Sequence, residues 1–164
     1  MKASICCVTA LLLCCALLAS CAPPQGDYFA PFVGEFEAEL VGELYAMPFS
    51  ALLTVGLGDG TGARPATLTF YAPEALRGTT VSRTASGTLT VTVGGVSVVP
   101  AAAEGFQALL SLLPDAGQIS EVTLVDGRTR VAGVGFVLFF GADGTPVRAE
   151  NACAWAEVVR FVKK

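Results

Sequence analysis

The most reactive side chains in this chain of 164 residues are its six cysteines, five of which lie within the first 21 residues. Cys21 ends the tetrad Leu18-Ala19-Ser20-Cys21, and an apolar run from Ile5 to Leu18 precedes it behind a single cation. That run is too short to cross a bilayer, which needs about 20 apolar residues, and it therefore predicts an export signal rather than a membrane anchor. The alternative is an ordinary secretory leader in which Cys21 is an incidental thiol.

The tetrad resembles the lipobox of bacterial lipoproteins. The resemblance implies that residues 1–20 are a lipoprotein signal peptide and that Cys21 carries diacylglycerol through a thioether, with fatty acids such as palmitate. Two or three acyl chains hold a domain stably at a membrane surface. The resemblance also implies an extracytoplasmic protein on the outer leaflet of the cell membrane, or on the outer membrane of a diderm bacterium, which Ala22 would favour.

Cys153 is the remaining cysteine of the mature chain, so the sequence predicts that it has no internal disulfide partner. In an oxidising compartment such a thiol is either buried and inert or a reactive site. Its neighbours Ala152, Ala154 and Trp155 favour burial.

The residues typical of catalysis are missing. There is no histidine, which removes the usual base for serine or cysteine nucleophiles and the commonest metal ligand. The glycines between Gly56 and Gly62 lack the lysine of a phosphate-binding loop, and Asp59 and Asp143 lack the ligand run of a calcium loop. The glutamates Glu35, Glu37, Glu39 and Glu43 alternate along one strand, which is typical of a solvated face. We therefore expect no enzyme activity, no metal and no cofactor.

Charge and composition describe one apolar domain. After loss of Lys2, nine basic residues face fourteen acidic ones without a basic cluster, so nucleic acid is not an expected partner. Three prolines before Phe32 indicate that residues 21–31 are the lipidated cysteine and a tether. Residues 32–164 then form a single β-rich domain.

Alternation of apolar and polar residues predicts strands in most of this domain. The first two strands are expected to form a hairpin through Tyr45 to Pro48, and Gly58 to Gly62, Asp126-Gly127 and Asp143-Gly144 are expected to form turns. The predicted strands are Phe32–Leu44, Met47–Leu57, Ala66–Ala72, Thr79–Thr84, Gly87–Val93, Val96–Val99, Ile119–Val125, Thr129–Phe140, Val147–Asn151 and Ala154–Val162.

One amphipathic helix is predicted from Pro100 to Leu113, because apolar residues recur there at helical spacing between two prolines. Its apolar stripe consists of Ala102, Phe106, Leu109, Leu110 and Leu113, and it should pack on a concave sheet face. The segment Gly133 to Phe140 is apolar on both faces, which indicates either a central strand covered on both sides or a wall of an apolar cavity.

Several features of the chain occur together: the lipobox, the tether, the long alternating strands, the segment Tyr71–Gly78, the helix and the late hairpin Phe139–Pro146. In this combination the chain resembles the LolA, LolB and LppX group of lipoprotein-handling domains. The resemblance implies a mainly β (α+β) fold, a strongly curved antiparallel sheet or half-open barrel with one amphipathic helix packed on its concave face. It also implies a cavity for acyl chains. Candidate ligand-binding residues on the inner face, chosen by phase, are Phe36, Leu40, Leu53, Leu68, Phe70, Phe106 and Phe136.

Two functions remain open. The first is a lipid-anchored protein that binds or carries an apolar ligand, such as a lipid or a lipoprotein acyl chain. The second is a non-enzymatic interaction module with a packed core, which presents its acidic face or an edge strand to another envelope protein.

Overall fold

The computed structural model describes residues 26–58 and 63–164. The predicted signal peptide, the lipobox with Cys21, the first part of the tether and the centre of the glycine turn with Asp59 lie outside the described residues. Within them, no helix is long and apolar enough to cross a membrane.

The described chain forms one antiparallel sheet of eleven strands, curved but not closed, which confirms the predicted fold class. Their spatial order is β6-β5-β4-β3-β2-β1-β11-β10-β9-β8-β7. The strands are β1 (Phe36–Leu44), β2 (Met47–Val55), β3 (Ala66–Ala72), β4 (Thr80–Arg83), β5 (Leu89–Val93), β6 (Val96–Val98), β7 (Ile119–Val125), β8 (Arg128–Gly133), β9 (Phe136–Phe140), β10 (Pro146–Glu150) and β11 (Ala154–Lys163).

Strands β1 and β2 form the predicted hairpin, with Leu44 opposite Met47. The turn is tighter than predicted, because Tyr45 and Ala46 alone connect the strands, with φ of 50° and 63°. Two consecutive residues at positive φ match the right-handed twist of a two-residue hairpin. Buried and partly exposed residues alternate along β1 as the period of two predicted, except for the larger exposure of Val41.

The predicted strand Thr129–Phe140 is wrong, since the chain forms two strands there, β8 and β9. Val134 and Gly135 turn the chain between them, and Gly135 has φ of 83°. Phe136, Leu138 and Phe140 of β9 are buried, whereas Val137 and Phe139 are half-exposed. The prediction of two dry faces is therefore wrong, because β9 has one buried face like its neighbours. The last residue of β9, Phe140, borders an apolar cleft.

The helix α1 spans Glu104–Leu110 and is shorter than the predicted Pro100–Leu113. Ala103 at its start offers no side chain that could cap the first amides, and Ala102 of the predicted stripe is exposed. Leu109 and Leu110 are buried within the helix, and Leu112 and Leu113 are buried just after it. The helical segment therefore covers the concave face as predicted, although only part of it is helical.

Strands β1 and β11 pair near the centre of the sheet and approach each other closely. Gly42 lies opposite Ala156, and a Cβ there would be 2.6 Å from the Cα of Ala156 and 2.8 Å from the carbonyl carbon of Trp155. The register shifts between Glu39 and Leu40, which leaves Val159 as an extra residue in β11. A glycine at a close approach and a β-bulge both allow local bending of a strand, and both occur in this pair.

Candidate functional site

The seven predicted inner-face residues all lie in or against one hydrophobic core on the concave face. Phe36, Leu40, Leu53, Leu68 and Phe70 are at most 1 % exposed, Phe136 is buried, and Phe106 is half-buried. The strand phase was therefore predicted correctly. Their role in ligand binding stays a prediction.

Two groups of side chains cover this concave face. One is an aromatic plug formed by Tyr28, Phe29 and Phe32, which lies in the predicted tether and at its end. The plug packs on aromatic rings of β9, β1 and β11, at centroid distances of 5.8 Å for Phe29 with Phe136 and 5.9 Å for Phe32 with Phe36. The other is the helical segment, whose Phe106 ring lies 6.4 Å from Phe70. The part of the predicted tether from Tyr28 onward thus lies on the sheet.

The chain enters the domain at one end of the strands, which we call the tether end. It includes the start of β1, the end of β9 and the turn between β7 and β8, because Phe36 is paired with Val55 and Lys163, and Phe140 with Thr129. Five residue steps separate Cys21 from Gly26, and an extended chain covers at most about 18 Å in that length. An anchor at Cys21 would therefore hold the tether end close to the bilayer.

An apolar cleft of about 490 Å³ opens at the tether end, and we call it the tether-end cleft. Tyr28, Pro31, Leu124 and Phe140 supply apolar lining, while Asp27 and Asp143 are at the polar part of the wall. Leu124 is 63 % exposed, so a large apolar surface faces solvent here. Such a site fits an alkyl chain, because apolar side chains bury it without requiring hydrogen bonds.

The carboxylate of Asp143 is held by Thr145, whose amide and hydroxyl donate hydrogen bonds of 3.0 Å and 2.8 Å to it. The backbone hydrogen bond from Thr145, followed by the hydroxyl, lowers the pKa of Asp143 below its usual value. The wall of the tether-end cleft therefore carries a negative charge at neutral pH.

A second cleft at the tether end, of about 270 Å³, lies between β4 and the segment after α1, and we call it the basic cleft. Arg64, Arg83, Ser111 and Asp115 line it together with Leu110 and Leu113. Leu110 and Leu113 belong to the predicted apolar stripe of the helix, whereas the four polar residues were not predicted as site residues. The available signal was phase, because Arg83 is two residues from the buried Val81 and therefore shares its concave face.

Arg64 joins separate segments at the floor of this cleft. Its side chain is 13 % exposed and donates hydrogen bonds to the carbonyl oxygens of Phe32 at 2.5 Å, of Gly56 at 3.1 Å, and of Gly34. It also forms an ion pair of 3.5 Å with Asp115. Its guanidinium lies 5.6 Å from the centre of the Phe36 ring.

The opposite end of the sheet contains Cys153, which is half-buried rather than fully buried. The hydroxyl of Tyr45 donates a hydrogen bond of 3.2 Å to its sulfur, which raises the pKa of Tyr45. Asn151 holds the loop, since its side-chain oxygen accepts from the amides of Cys153 and Ala154. Cys153 shares a cleft with Glu43 and Glu150, and the hydrogen bond from Tyr45 holds its sulfur in place.

The glutamates of β1 are on its half-exposed side and have partners on β11 or beyond. Glu37 pairs with Lys164 at 2.7 Å and Glu39 with Arg160 at 3.2 Å, while Glu43 accepts from the indole of Trp155 at 3.2 Å. Within residues 26–58 and 63–164, no three histidine, cysteine or acidic side chains are grouped as they would be around a metal ion.

Comparison with known proteins gives similarity of fold alone. No family model and no curated protein matches the chain. An uncharacterized conserved protein from Thermus thermophilus has a similar structure, with a TM-score of 0.52 and 12 % identity over 84 % of this chain and 83 % of that one. A LolA superfamily protein from Nitrosomonas europaea aligns with a TM-score of 0.41 and 10 % identity over 87 % of this chain and 94 % of that one.

Proposed function

We propose that this protein is a lipid-anchored, non-enzymatic domain of the bacterial envelope that binds an apolar ligand, a lipid or a lipoprotein acyl chain, in the tether-end cleft. The observation that carries the proposal is the position of this cleft. Its apolar wall opens at the end where the chain arrives from Cys21, within about 18 Å of the predicted anchor. An acyl chain that leaves the bilayer would meet this surface first.

The aromatic plug supplies a route into the concave interior. Tyr28 is shared between the plug and the tether-end cleft, and its ring lies 5.8 Å from that of Phe140. A ligand that displaces the plug would reach the faces of Phe32 and Phe36 beneath it. The predicted inner-face residues would then contact the ligand after an opening movement, and they would contact only one another in the closed form.

A non-enzymatic function is proposed because the chemistry available at the clefts is limited. The chain has no histidine, and the apolar part of the tether-end cleft contains no nucleophilic side chain paired with a base. Apolar contact, hydrogen bonding and charge are the interactions that these walls offer.

The interaction module remains a second candidate, and the edge strand β6 favours it. Val96 and Val98 on this edge are 66 % and 52 % exposed, and Val93 and Val99 beside it are 56 % and 71 % exposed. An exposed apolar edge can accept a strand from another protein through backbone hydrogen bonds. In that case the partner would be an envelope protein and the tether-end cleft would stay empty.

Native mass spectrometry of residues 22–164, purified gently and titrated with a fatty acid and with a lysophospholipid, separates the two functions. We expect a stoichiometric adduct of lipid mass. A clean apo mass that ignores both lipids would instead support the interaction module.

A pair of matched variants locates the site. Leu124→Glu places a charge in the tether-end cleft and should weaken lipid binding roughly tenfold or more, because a bound alkyl chain would have to cover and desolvate the new carboxylate. Leu57→Glu is the control, since Leu57 is 65 % exposed against 63 % for Leu124 and also lies at the tether end, but does not line this cleft. Equal weakening by both variants would contradict the proposed location.

The anchor has its own test. Cys21→Ala should abolish metabolic labelling with palmitate and leave the protein unprocessed or released from the membrane. Recovery of a mature-sized Cys21→Ala protein in the membrane fraction would contradict lipidation at this residue.

A further inference from the structure

Arg83 in the basic cleft is a half-buried cation that forms no ion pair among the described residues, although Asp115 lines the same cleft. It lies on the concave side of β4, in phase with the fully buried Val81, and Leu110 and Leu113 are beside it. Burial lowers the pKa of Arg83, and Arg64 adds to this effect while Asp115 opposes it. The nearby carboxylate of Asp115 is already paired with Arg64, so partial burial of the Arg83 guanidinium costs free energy that an anionic ligand would recover.

The hydrogen bonds of Arg83 leave donors available. Its Nε donates to the carbonyl oxygen of Arg64 at 3.0 Å, and its Nη1 donates to the hydroxyl of Ser111 at 3.0 Å. Both acceptors are neutral, so neither offsets the charge of the guanidinium. Because Ser111 accepts from Arg83, the proton of its own hydroxyl is oriented away and can be donated to a third group.

The basic cleft has a net positive charge. Arg64 and Arg83 contribute two cations, and Asp115 contributes one anion that pairs with Arg64 at 3.5 Å. The guanidinium of Arg64 donates its hydrogen bonds to backbone carbonyls. It therefore raises the positive electrostatic potential of the cleft but offers no free donor to a ligand. The uncompensated charge therefore lies at Arg83, on the side of the cleft that Ser111 borders.

We propose that the basic cleft binds the phosphate of a ligand, with the Arg83 guanidinium and the Ser111 hydroxyl as its donors. A planar guanidinium offers two parallel N–H groups to a tetrahedral oxyanion, and a hydroxyl beside it supplies a third donor. The source of the phosphate is a lipid headgroup or a free phosphate compound. The cleft is separate from the tether-end cleft, so this assignment does not depend on acyl-chain binding.

The test uses the full chain purified in nonionic detergent micelles, with the backbone amide of Ser111 followed by NMR. Inorganic phosphate is titrated into plain micelles, and phosphatidylglycerol or diacylglycerol is doped into parallel samples. A saturable shift with inorganic phosphate indicates a free phosphate site, and a shift with phosphatidylglycerol alone indicates a headgroup site. The proposal is overturned if neither inorganic phosphate nor phosphatidylglycerol gives a saturable shift. It is also overturned if diacylglycerol gives a shift as large as that of phosphatidylglycerol.

Three variants make the assignment specific to Arg83. Arg83→Gln should weaken phosphate binding roughly tenfold or more, since a charge-assisted contact is lost. Arg83→Lys retains the charge and should bind phosphate more tightly than Arg83→Gln. Asp115→Asn should bind phosphate more tightly than the unchanged protein, because the carboxylate that repels phosphate is removed. Arg130→Gln is the control, because Arg130 lies on β8, outside the cleft, and pairs with Glu121 of β7 at 2.9 Å.

Retained dispersion of the β4 amides shows that each variant is folded. Folded Arg83→Gln protein that binds phosphate as tightly as the unchanged protein would overturn the assignment. So would a loss of binding in Arg130→Gln as large as that in Arg83→Gln, since it would indicate a general effect of positive charge.

Discussion

Replacement of Arg64 by lysine should destabilise the domain far more than a conservative change between cations usually does. The guanidinium of Arg64 reaches the carbonyl oxygens of Phe32 and Gly34, which precede β1, and of Gly56, which follows β2. A lysine amine is a single point donor and cannot reproduce a planar fork. We therefore expect at least two of these carbonyls to lose their charged donor.

The magnitude follows from the burial of this group. The side chain of Arg64 is 13 % exposed, so solvent screens its hydrogen bonds little. A hydrogen bond to a charged group contributes about 1.5–3 kcal/mol, and loss of two of them at the lower value costs about 3 kcal/mol. At a urea m-value of about 2 kcal/mol per molar, the unfolding midpoint would fall by about 1.5 M.

Equilibrium unfolding in urea, followed by the fluorescence of Trp155, measures this change. Arg77→Lys is the matched control, because Arg77 is 65 % exposed and its partner Glu74 is also at the surface. Exposed pairs of this kind contribute about 1 kcal/mol or less. If the midpoint of Arg64→Lys moves no further than that of Arg77→Lys, the carbonyl contacts do not stabilise the fold and the reasoning is refuted.

Three further predictions concern the curvature, the acidic wall and the distal thiol. Gly42→Ala should lower the free energy of unfolding by about 1–3 kcal/mol in urea titrations, because its Cβ would overlap the β11 backbone. Asp143→Asn should be less stable than the unchanged protein at neutral pH. This difference in stability should vanish as the pH falls below the usual carboxyl pKa of 3.8 and through the lowered pKa of folded Asp143. Thermal unfolding at several pH values measures it. Cys153→Ala should return the raised pKa of Tyr45 towards 10.0 in a spectrophotometric titration; an unchanged Tyr45 pKa would contradict the role of this hydrogen bond.

Local periodicity predicted the sheet well. The strands Ala66–Ala72 and Ile119–Val125 have the predicted bounds, and the first hairpin has the predicted pairing. The strands between the two sheet edges have one face on the core, so burial imposes the period of two that the sequence displays, whereas β6 and β7 at the edges have no buried residue. The helix was overestimated, because leucines that are buried after its end continue the helical spacing without helical backbone.

The turn between β8 and β9 escaped prediction for a different reason. Val134 is 75 % exposed, although a valine within an apolar run normally indicates a buried strand. Gly135, at φ of 83°, was the only local sign of a reversal. Gly133 and Gly135 flank this valine and have no side chain that would mark a face of the strand. A continuous strand with weak alternation was therefore as simple an interpretation as a turn.

The clefts could not be predicted from spacing, because each is assembled from distant segments. The basic cleft joins β4 to the segment after α1, and the tether-end cleft joins the plug to the ends of β7 and β9. The prolines of the tether indicated a spacer, whereas the aromatic residues Tyr28, Phe29 and Phe32 among them already carried the signal of burial. Residues distant in sequence come together in these clefts because the sheet is curved. Contacts between distant strands, such as that of Gly42 with β11, are not visible in local spacing.

The geometry of the sheet separates what lies near the anchor from what lies far from it. Strand β1 runs nine residues from the tether end to the turn at Tyr45, and at about 3.4 Å per residue it spans roughly 30 Å. A domain anchored at Cys21 would keep both clefts beside the headgroups and hold Cys153 and its surroundings away from the bilayer. The apolar wall at Leu124 and the guanidinium at Arg83, which has no ion pair among the described residues, lie in two separate clefts at the end of the sheet that the anchor would face, whereas a protein strand would engage the edge at β6.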